Sequence, residues 1–356
     1  MEIGTYATFD ADDAAVVARP DHPHSGTAGE LAWSRRGGVG IVGAGHVGAA
    51  VANALILMGT AQRVVLYNRQ VRRAEGEAWD IADGTPMLGS AEVLATDRWE
   101  DLAGVEVVVV AVGVRIKPGQ SRLDVVNGDL IQTVMERLDE VVPDAVVVVA
   151  SNPVDVLTRI AQDSSRRPWH KILGAGTVLD TARLRRGLAQ LLGVDAQNIH
   201  VHVIGEHGDS GFPAWSSATI GPVPLGSFPL PPGRELTAIQ SECAERTRRR
   251  GSEDILARKG HTAAGIAVAV SRIVESVLQD QRRVYTVSTR ALPEYNVDEG
   301  SVLSLPSVIG KEGVVGRLPL ALNPSEQRML QRSAGVLNAA YRTETVWPAS
   351  PIDVGV

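Results

Sequence analysis

Short apolar runs alternate with helical patterns through the first half of the chain. Four of these runs predict buried strands, at residues 38–42, 63–67, 105–112 and 145–150. Helical periodicity lies between them, at residues 49–58, 74–81 and 129–141. Parallel strands need helical crossovers, so this alternation predicts an α/β fold: a Rossmann-type, doubly wound parallel sheet over residues 38–175.

The second half has longer helical patterns and fewer strands. Helices are predicted at residues 179–192, 236–250, 252–279 and 324–341, and strands at residues 200–204, 284–292 and 301–309. Five prolines predict a loop over residues 221–233, and Pro306 indicates a strand near a sheet edge, because proline cannot donate a ladder hydrogen bond. We expect an α+β substrate domain over residues 176–343. Residues 1–37 and 344–356 lack periodicity, which predicts a flexible N-terminal extension and a C-terminal tail.

Composition and charge disfavour several classes of function. The chain of 356 residues has a formal net charge of −6, which disfavours a general nucleic-acid binder, because phosphate binding needs a basic surface. The single cysteine, Cys243, excludes an internal disulfide and a metal site built on paired cysteines, and we predict no metal. The longest apolar runs fall short of the roughly 20 residues of a membrane helix, and residues 1–20 lack the order of a secretory signal. We therefore expect a cytoplasmic protein.

A glycine-rich motif joins the first predicted strand to the helix that follows it. Gly43, Gly45 and Gly48 are spaced as in dinucleotide-binding turns, where glycines allow a tight turn and bring a pyrophosphate close to a helix N-terminus. The second strand ends at Asn68, where such folds usually carry an acid that binds the adenosine ribose. Asn68 does not repel a 2′-phosphate, and Arg69 either attracts one or is a solvated surface charge. These residues predict NAD as the cofactor, with NADP as an alternative.

A few polar residues together have the chemistry of a 2-oxo acid reductase. Asp180 and Arg183 share a helix face at i and i+3, although such a pair alone is typical of a surface ion pair. His207 follows a predicted strand and could give a proton to a keto oxygen while Asp180 orients its ring. Arg183 could bind a carboxylate through two parallel hydrogen bonds, and Arg122, on a polar loop suited to a mobile lid, could polarise the carbonyl. Asn152 ends a buried strand at the edge where α/β folds bind ligands, and a nicotinamide would deliver the hydride.

These motifs resemble those of the lactate/malate dehydrogenase superfamily, and in particular its L-lactate dehydrogenase branch. The similarity runs from about Gly38 to Tyr341. The segments that carry it are Gly43–Gly48, Ala74–Ala78, Lys117–Gly119, Ser151–Asp155, Gly176–Arg183, Gly205–Ser210 and Lys259–Ile266. The surroundings of His207 favour the lactate branch over the malate branch. The resemblance implies a homo-oligomer, a tetramer or a dimer, that acts on a small 2-hydroxy or 2-oxo acid.

The resemblance also implies a role for each matching residue. The roles are proton transfer for His207 with Asp180, carboxylate binding for Arg183, carbonyl polarisation for Arg122, contact with carbonyl and nicotinamide for Asn152, a place in the substrate pocket for Thr262, and packing on the nicotinamide for Ile266. The implied cofactor contacts are Gly43, Gly45, His46, Val47, Gly48, Asn68, Arg69, Asn152 and Ile266. Arg185 and His200 match positions that bind fructose 1,6-bisphosphate in allosteric members, with a structural or simple anion-binding pair as the alternative.

Two positions depart from the family pattern. The ribose-binding acid is replaced by Asn68, and the lid residue that senses the substrate side chain, Gln in lactate enzymes and Arg in malate enzymes, is Ile116. We interpret the chain as an NAD(P)-dependent L-2-hydroxy acid dehydrogenase, in which Ile116 contacts the substrate side chain. The alternatives are a malate dehydrogenase with Arg115 on the second carboxylate, a specialised reductase of a larger apolar 2-oxo acid, and a non-catalytic binding protein on the same fold.

Overall fold

The computed structural model describes residues 37–113 and 128–345. The first half forms six strands: β1 (Gly38–Val42), β2 (Arg63–Tyr67), β3 (Glu92–Thr96), β4 (Val107–Val110), β5 (Val146–Val149) and β6 (Ile172–Gly174). They lie in the order β3-β2-β1-β4-β5-β6, and every adjacent pair is parallel. The connecting helices are α1 (His46–Leu57), α2 (Val71–Gly84), α3 (Gly128–Val141) and α4 (Val154–Ser164). The predicted Rossmann-type sheet is confirmed.

The central strands form because both faces of the sheet are covered. Along β4, Val108 and Val110 join one core cluster and Val107 and Val109 join another, as the alternation of a strand requires. The strand order reverses between β1 and β4, which opens a crevice at the carboxyl ends of these strands. The sequence analysis missed β3, α4 and β6. β3 is a partly exposed edge strand and β6 has three residues, so neither gives the long apolar run of a central strand.

The second half extends this sheet. Its helices are α5 (Val178–Leu192), α6 (Leu236–Arg249), α7 (Ile255–Lys259), α8 (Ala264–Leu278) and α9 (Pro324–Thr345). Its strands are β7 (Ile199–His200), β8 (Val203–Ile204), β9 (Phe212–Pro213), β10 (Thr219–Ile220), β11 (Val223–Pro224), β12 (Arg283–Arg290), β13 (Val302–Gly310) and β14 (Gly313–Arg317). β12 pairs antiparallel with β6, and β13 and β14 follow it, so one nine-stranded sheet runs through both halves.

The helix predicted over residues 252–279 is not continuous. A π-helical turn (Arg250–Asp254) precedes α7, and α7 and α8 are separate helices. Gly260, with a φ of 79°, ends α7 in the left-handed conformation that caps many helices. The apolar periodicity on both sides hides this break, because a single glycine is tolerated within a helical pattern. The break leaves His261 and Thr262 outside a helix.

The strand predicted over residues 200–204 is two short strands, β7 and β8, in different sheets. Side chains of α5 form hydrogen bonds with the backbone where β7 ends and β8 begins. Arg185 Nε donates to Val201 O over 3.2 Å, and Val203 N donates to Thr181 Oγ1 over 3.0 Å. These hydrogen bonds replace a strand ladder, so pairing stops after β7 and resumes on another sheet.

Two predictions based on proline are wrong in part. The predicted loop over residues 221–233 contains β11, whose Val223 pairs with Ile220. Pro306 lies in β13, which has a neighbour on each side and is not an edge strand. Leu318 N, just beyond the end of β14, donates to Pro306 O over 2.9 Å. The nitrogen and the carbonyl oxygen of a strand residue point to the same side, so the nitrogen of Pro306 also faces the end of β14. No regular ladder hydrogen bond is lost there.

Candidate active site

His207, Asp180 and Arg183 meet through a single carboxylate. His207 follows β8, and the other two residues lie near the start of α5. His207 Nδ1 is 2.6 Å from Asp180 Oδ2, and Arg183 Nη1 donates to Asp180 Oδ1 over 2.7 Å. The three side chains are only 13–16% exposed, so water screens their charges weakly. Because an ionised carboxylate only accepts, Nδ1 donates to Asp180, and Nε2 is the ring nitrogen that can exchange a proton with a ligand.

Backbone hydrogen bonds hold the segment that leads to His207. Gly205 exchanges two backbone hydrogen bonds with Ser304 of β13, at 3.0 and 2.8 Å. Glu206 N donates to Ser333 Oγ of α9 over 2.8 Å. The imidazole therefore projects from a backbone that is fixed by both β13 and α9.

Asp155 is a residue of this site that sequence reasoning missed. It is 2% exposed, and its Oδ2 accepts a hydrogen bond from His207 N over 2.8 Å. Burial raises the pKa of Asp155 to about 6, against hydrogen bonds from His207 N and two serines that act to lower it. The sequence did contain a signal. An acid directly after Asn-Pro-Val, at the end of an apolar strand, is a charge in a place where burial is expected.

Gly251 makes room for the Arg183 guanidinium. A Cβ atom built on Gly251 would lie 2.7 Å from Arg183 Nη1 and 3.5 Å from Asp180 Oδ1, so a larger residue would displace the guanidinium. The other nitrogens of Arg183 have no hydrogen-bond partner among residues 37–113 and 128–345, and they are able to bind a carboxylate. Sequence reasoning missed Gly251 too. Its signal is a glycine that interrupts a helical pattern directly after three arginines.

Asn152 lies at the carboxyl end of β5, at the sheet edge where the sequence predicted it. Its side chain is exposed, and its peptide bond to Pro153 is cis. The hydroxyl of the preceding Ser151 donates to Val112 O, which ties this turn to the segment after β4. Thr262 lies in the break between α7 and α8 and is partly buried. The two polar side chains are therefore both available to a ligand.

The predicted lid lies outside the described residues. Arg115, Ile116, Lys117 and Arg122 all fall within residues 114–127. Their roles stay predictions from the sequence.

The glycine-rich turn after β1 fits a dinucleotide. Gly43 has a φ of 110°, and a Cβ atom on it would lie 2.6 Å from Ala111 O. A Cβ atom on Gly48 would overlap Gly43 O, so both positions need glycine. A Cβ atom on Gly45 would meet nothing within 4 Å, and α1 begins there with no side-chain cap and no acid in its first turn. The uncapped N–H groups of this open helix N-terminus suit a pyrophosphate, so the residues present fit NAD.

The glycine-rich turn after β1, called the cofactor turn below, also contacts the segment that carries Thr262. The rings of His46 and His261 stack with centroids 4.2 Å apart and 14° between their planes. Val47 and Ile266 pack against the same core cluster. The structure therefore brings the cofactor turn, the predicted substrate threonine and the predicted nicotinamide-facing isoleucine into one region. Sequence reasoning gave His261 no role.

The end of β2, where the adenosine ribose is expected, is open. Asn68 N donates to Thr96 O over 2.9 Å, while its side chain makes a single hydrogen bond within the described residues, to Gln70 O over 3.3 Å. Arg69 is exposed and has no hydrogen-bond or ion-pair partner among the residues that the structure describes. Both side chains can therefore reorient toward a ribose or a phosphate.

Arg185 and His200 lie close to a second histidine, His202. Arg185 Nη2 is 3.5 Å from His202 Nδ1, and His200 is exposed on β7. Burial, together with the charges of Arg185 and His200, lowers the pKa of His202 to about 4. Burial also lowers the pKa of Arg185. His202 is therefore neutral at pH 7, and Arg185 supplies the positive charge that an anion site needs.

Two family models cover most of the described chain. Residues 38–174 match the lactate/malate dehydrogenase NAD binding domain, and residues 177–345 match the lactate/malate dehydrogenase alpha/beta C-terminal domain. The chain belongs to the lactate/malate dehydrogenase family. The predicted family, fold class and NAD cofactor are confirmed.

Individual relatives agree. The chain is 41% identical to the L-lactate dehydrogenase of Thermus aquaticus over 304 residues, which cover 85% of this chain and 97% of that protein. The ligand-bound minor L-lactate dehydrogenase of Enterococcus mundtii has a TM-score of 0.82 and 33% identity, over 88% of this chain and 100% of its own. The lactate dehydrogenase of Cryptosporidium parvum, complexed with lactic acid and nicotinamide adenine dinucleotide, has a TM-score of 0.82 and 30% identity, over 88% and 99%. The prediction of an L-lactate dehydrogenase-like, NAD-dependent oxidoreductase is confirmed.

The described residues contain no candidate for a membrane-spanning helix or for a metal site. No helix within residues 37–113 and 128–345 is long and apolar enough to cross a membrane. Within the same ranges, no three His, Cys, Asp or Glu side chains are grouped as a metal site requires. Cys243 is buried, and burial raises the pKa of its thiol to about 11, so the thiol is protonated at neutral pH.

Proposed function

We propose that this chain reduces 2-oxo acids to L-2-hydroxy acids with NADH and catalyses the reverse reaction with NAD. The observation that carries the proposal is the Asp180 carboxylate, which holds the His207 ring and the Arg183 guanidinium within 2.7 Å. A proton donor and a carboxylate-binding group that are both bonded to Asp180 suit a substrate whose keto oxygen and carboxylate are neighbours. When bound, NADH supplies the hydride that reduces the keto carbon.

His207 Nε2 gives a proton to the keto oxygen in the direction of reduction. Asp180 accepts from Nδ1, which fixes the ring and stabilises the positive charge of its protonated form. In the direction of oxidation, the neutral ring takes the proton of the substrate hydroxyl. The same nitrogen therefore serves both directions.

Arg183 binds the substrate carboxylate through the guanidinium nitrogens that Asp180 leaves unbonded. Asn152 and Thr262 add hydrogen bonds to the substrate, and Ile266 packs on the nicotinamide. Arg122 of the lid polarises the carbonyl.

We further propose that Ile116 selects aliphatic side chains on the substrate. Isoleucine leaves a second carboxylate unpaired, which is costly, and offers apolar contact worth about 0.8 kcal/mol per CH₂. We expect 2-oxobutyrate or 2-oxoisocaproate to match or exceed pyruvate in kcat/KM, and oxaloacetate to be poor. Steady-state kinetics on these four acids, with chiral analysis of the product, test the proposal. Oxaloacetate as the best substrate would favour Arg115 as a ligand of the second carboxylate and contradict the role of Ile116.

Arg185 and His200 are proposed to bind an anionic effector. Their proximity to the neutral His202 supports the idea, since a buried guanidinium gains from an anion. The test is fructose 1,6-bisphosphate at fixed ionic strength. A lower KM that is lost in Arg185→Gln supports regulation, and an unchanged KM leaves the pair a structural one.

We propose a cytoplasmic homotetramer, with a dimer as the alternative, built from domains at residues 38–175 and 176–343 between an N-terminal extension (1–37) and a C-terminal tail (344–356). Exposed apolar side chains support an assembly: Trp79 is 66% exposed, Met87 83% and Leu88 52%. Light scattering on the purified chain measures the oligomer directly. A monomer at micromolar concentration would contradict this part of the proposal.

A further inference from the structure

Asp155 accepts three hydrogen bonds from three different parts of the fold. His207 N donates to Oδ2 over 2.8 Å, while Ser288 Oγ and Ser304 Oγ donate to Oδ1 over 2.7 and 3.1 Å. Asp155 lies in the first turn of α4, Ser288 in β12 and Ser304 in β13. This carboxylate therefore connects the sheet, α4 and the segment of the catalytic histidine.

The position of Asp155 in the chain adds a second connection. It lies three residues after Asn152, on the turn that leads from β5 into α4. The same turn therefore carries the proposed substrate-binding amide and the carboxylate that holds His207 N. A shift of this carboxylate would change the distance between the proton donor and the substrate.

Burial makes the Asp155 carboxylate unfavourable for stability. The group is 2% exposed, and its raised pKa means that the fold disfavours the charged form. Of its three donors, two are serine hydroxyls that could turn to other acceptors, whereas the third is the backbone of the proposed catalytic residue. A polar group retained at such a cost is typical of a functional site.

We propose that Asp155 is a positioning residue for catalysis, which fixes the backbone of His207 relative to Asn152 and so places the imidazole for proton transfer. Among the described residues, Arg183 donates to Asp180 and not to Asp155, so it can hold the substrate carboxylate independently of Asp155. Loss of Asp155 therefore lowers kcat and leaves substrate and cofactor binding almost intact. The inference rests on the proposed role of His207.

The test uses Asp155→Asn and Asp155→Ala in the full chain. A displacement of about 1 Å costs up to ~10²-fold in rate. We therefore expect kcat to fall roughly 10-fold in Asp155→Asn, which keeps an acceptor for His207 N, and roughly 100-fold in Asp155→Ala. KM for the 2-oxo acid and the Kd of NADH should stay within about threefold. The matched control is Asp139→Asn, which removes another buried carboxylate, bonded to Ser165 and Arg166 and paired with Arg167, and should leave kcat unchanged.

A double-mutant cycle separates positioning from general damage to the fold. If Asp155 acts through His207, Asp155→Asn should reduce kcat by less than threefold in a His207→Asn background. A full tenfold loss in that background, or a kcat within threefold of wild type in the single variant, overturns the inference. If Asp155→Ala fails to fold, Asp155→Asn alone carries the cycle. A wild-type chain that reduces no 2-oxo acid would instead refute the proposed function.

Discussion

The His207 region and the Asn68 region differ in how firmly the fold holds their side chains. The His207 ring is 16% exposed and shares the Asp180 carboxylate with Arg183, while its backbone is bonded to α4. Within the part of the chain that the structure describes, Asn68 has one side-chain hydrogen bond, to a residue two positions away, and Arg69 is exposed. The proposed reacting end of the site is therefore preorganised, and the proposed adenosine end is adjustable.

Sensitivity to mutation should follow this difference. A group bonded from several elements gains catalytic value from its fixed geometry, so small changes there cost much. A side chain on an exposed strand end contributes little to the fold and changes ligand preference at low cost.

His207→Asn should give the largest loss. General acid–base catalysis is typically worth about 10²–10⁴ in rate, so kcat should fall by that factor because asparagine cannot carry the proton. Rapid-mixing kinetics measure kcat, and fluorescence titration should show NADH affinity within a few-fold of wild type. His170→Asn, which stands beside Trp169 away from the site, is the matched control. A kcat within a few-fold of wild type in His207→Asn would remove the histidine from the mechanism.

Arg183→Lys should follow. Lysine keeps the charge but loses the two parallel hydrogen bonds, and weakening a buried charged contact costs roughly 2–5 kcal/mol. We expect kcat/KM for pyruvate to fall by a factor of ~30 to several thousand. Arg186→Lys, on the exposed side of the same helix, is the control for a general loss of arginine. Equal kcat/KM in wild type and Arg183→Lys would contradict the role of Arg183 in binding the substrate carboxylate.

The same contrast explains how far the sequence could be interpreted. The grouping of His207, Asp180 and Arg183 at one place was predictable, because motif spacing indicates both chemistry and approximate position. The roles of Asp155 and Gly251 were not predictable, although each residue left a signal in the sequence, since these roles depend on contacts with His207 and Arg183 that only the folded chain creates. Periodicity located the central strands well. It missed β3, which is half-exposed, and the break at Gly260, where helical patterns continue on both sides.

The pH dependence of stability should show what the buried carboxylate of Asp155 costs. Its pKa is about 6 in the fold against 3.8 as the ordinary value, so the folded state binds the proton more tightly. The free energy of unfolding therefore falls, from this group, as pH rises from about 4 to above 6, by at most about 3 kcal/mol. Urea titrations at pH 5 and pH 8 should show that the free energy of unfolding of Asp155→Asn rises relative to that of wild type at the higher pH. A difference between the two proteins that is independent of pH would contradict the shift.

The adenosine end should give the smallest effect. The residue that follows β2 is Asn68 and not an acid, so this position does not repel a 2′-phosphate, and Arg69 is positioned in sequence to attract one. We expect measurable NADPH activity in the wild type. Asn68→Asp should raise the ratio of kcat/KM for NADH to that for NADPH by about tenfold, equivalent to about 1.4 kcal/mol.

Asn68→Ser is the matched control for this change, because serine keeps a small polar group and adds no charge. It should leave the ratio within about threefold of wild type. The comparison isolates the charge, since Asn68 makes one weak side-chain contact and its loss barely disturbs the strand end. A wild-type preference for NADH above ~1000-fold, or about 4 kcal/mol, would mean that another part of the chain rejects the phosphate. Asn68→Asp should then change little, and the adenosine end would prove to be as constrained as the catalytic one.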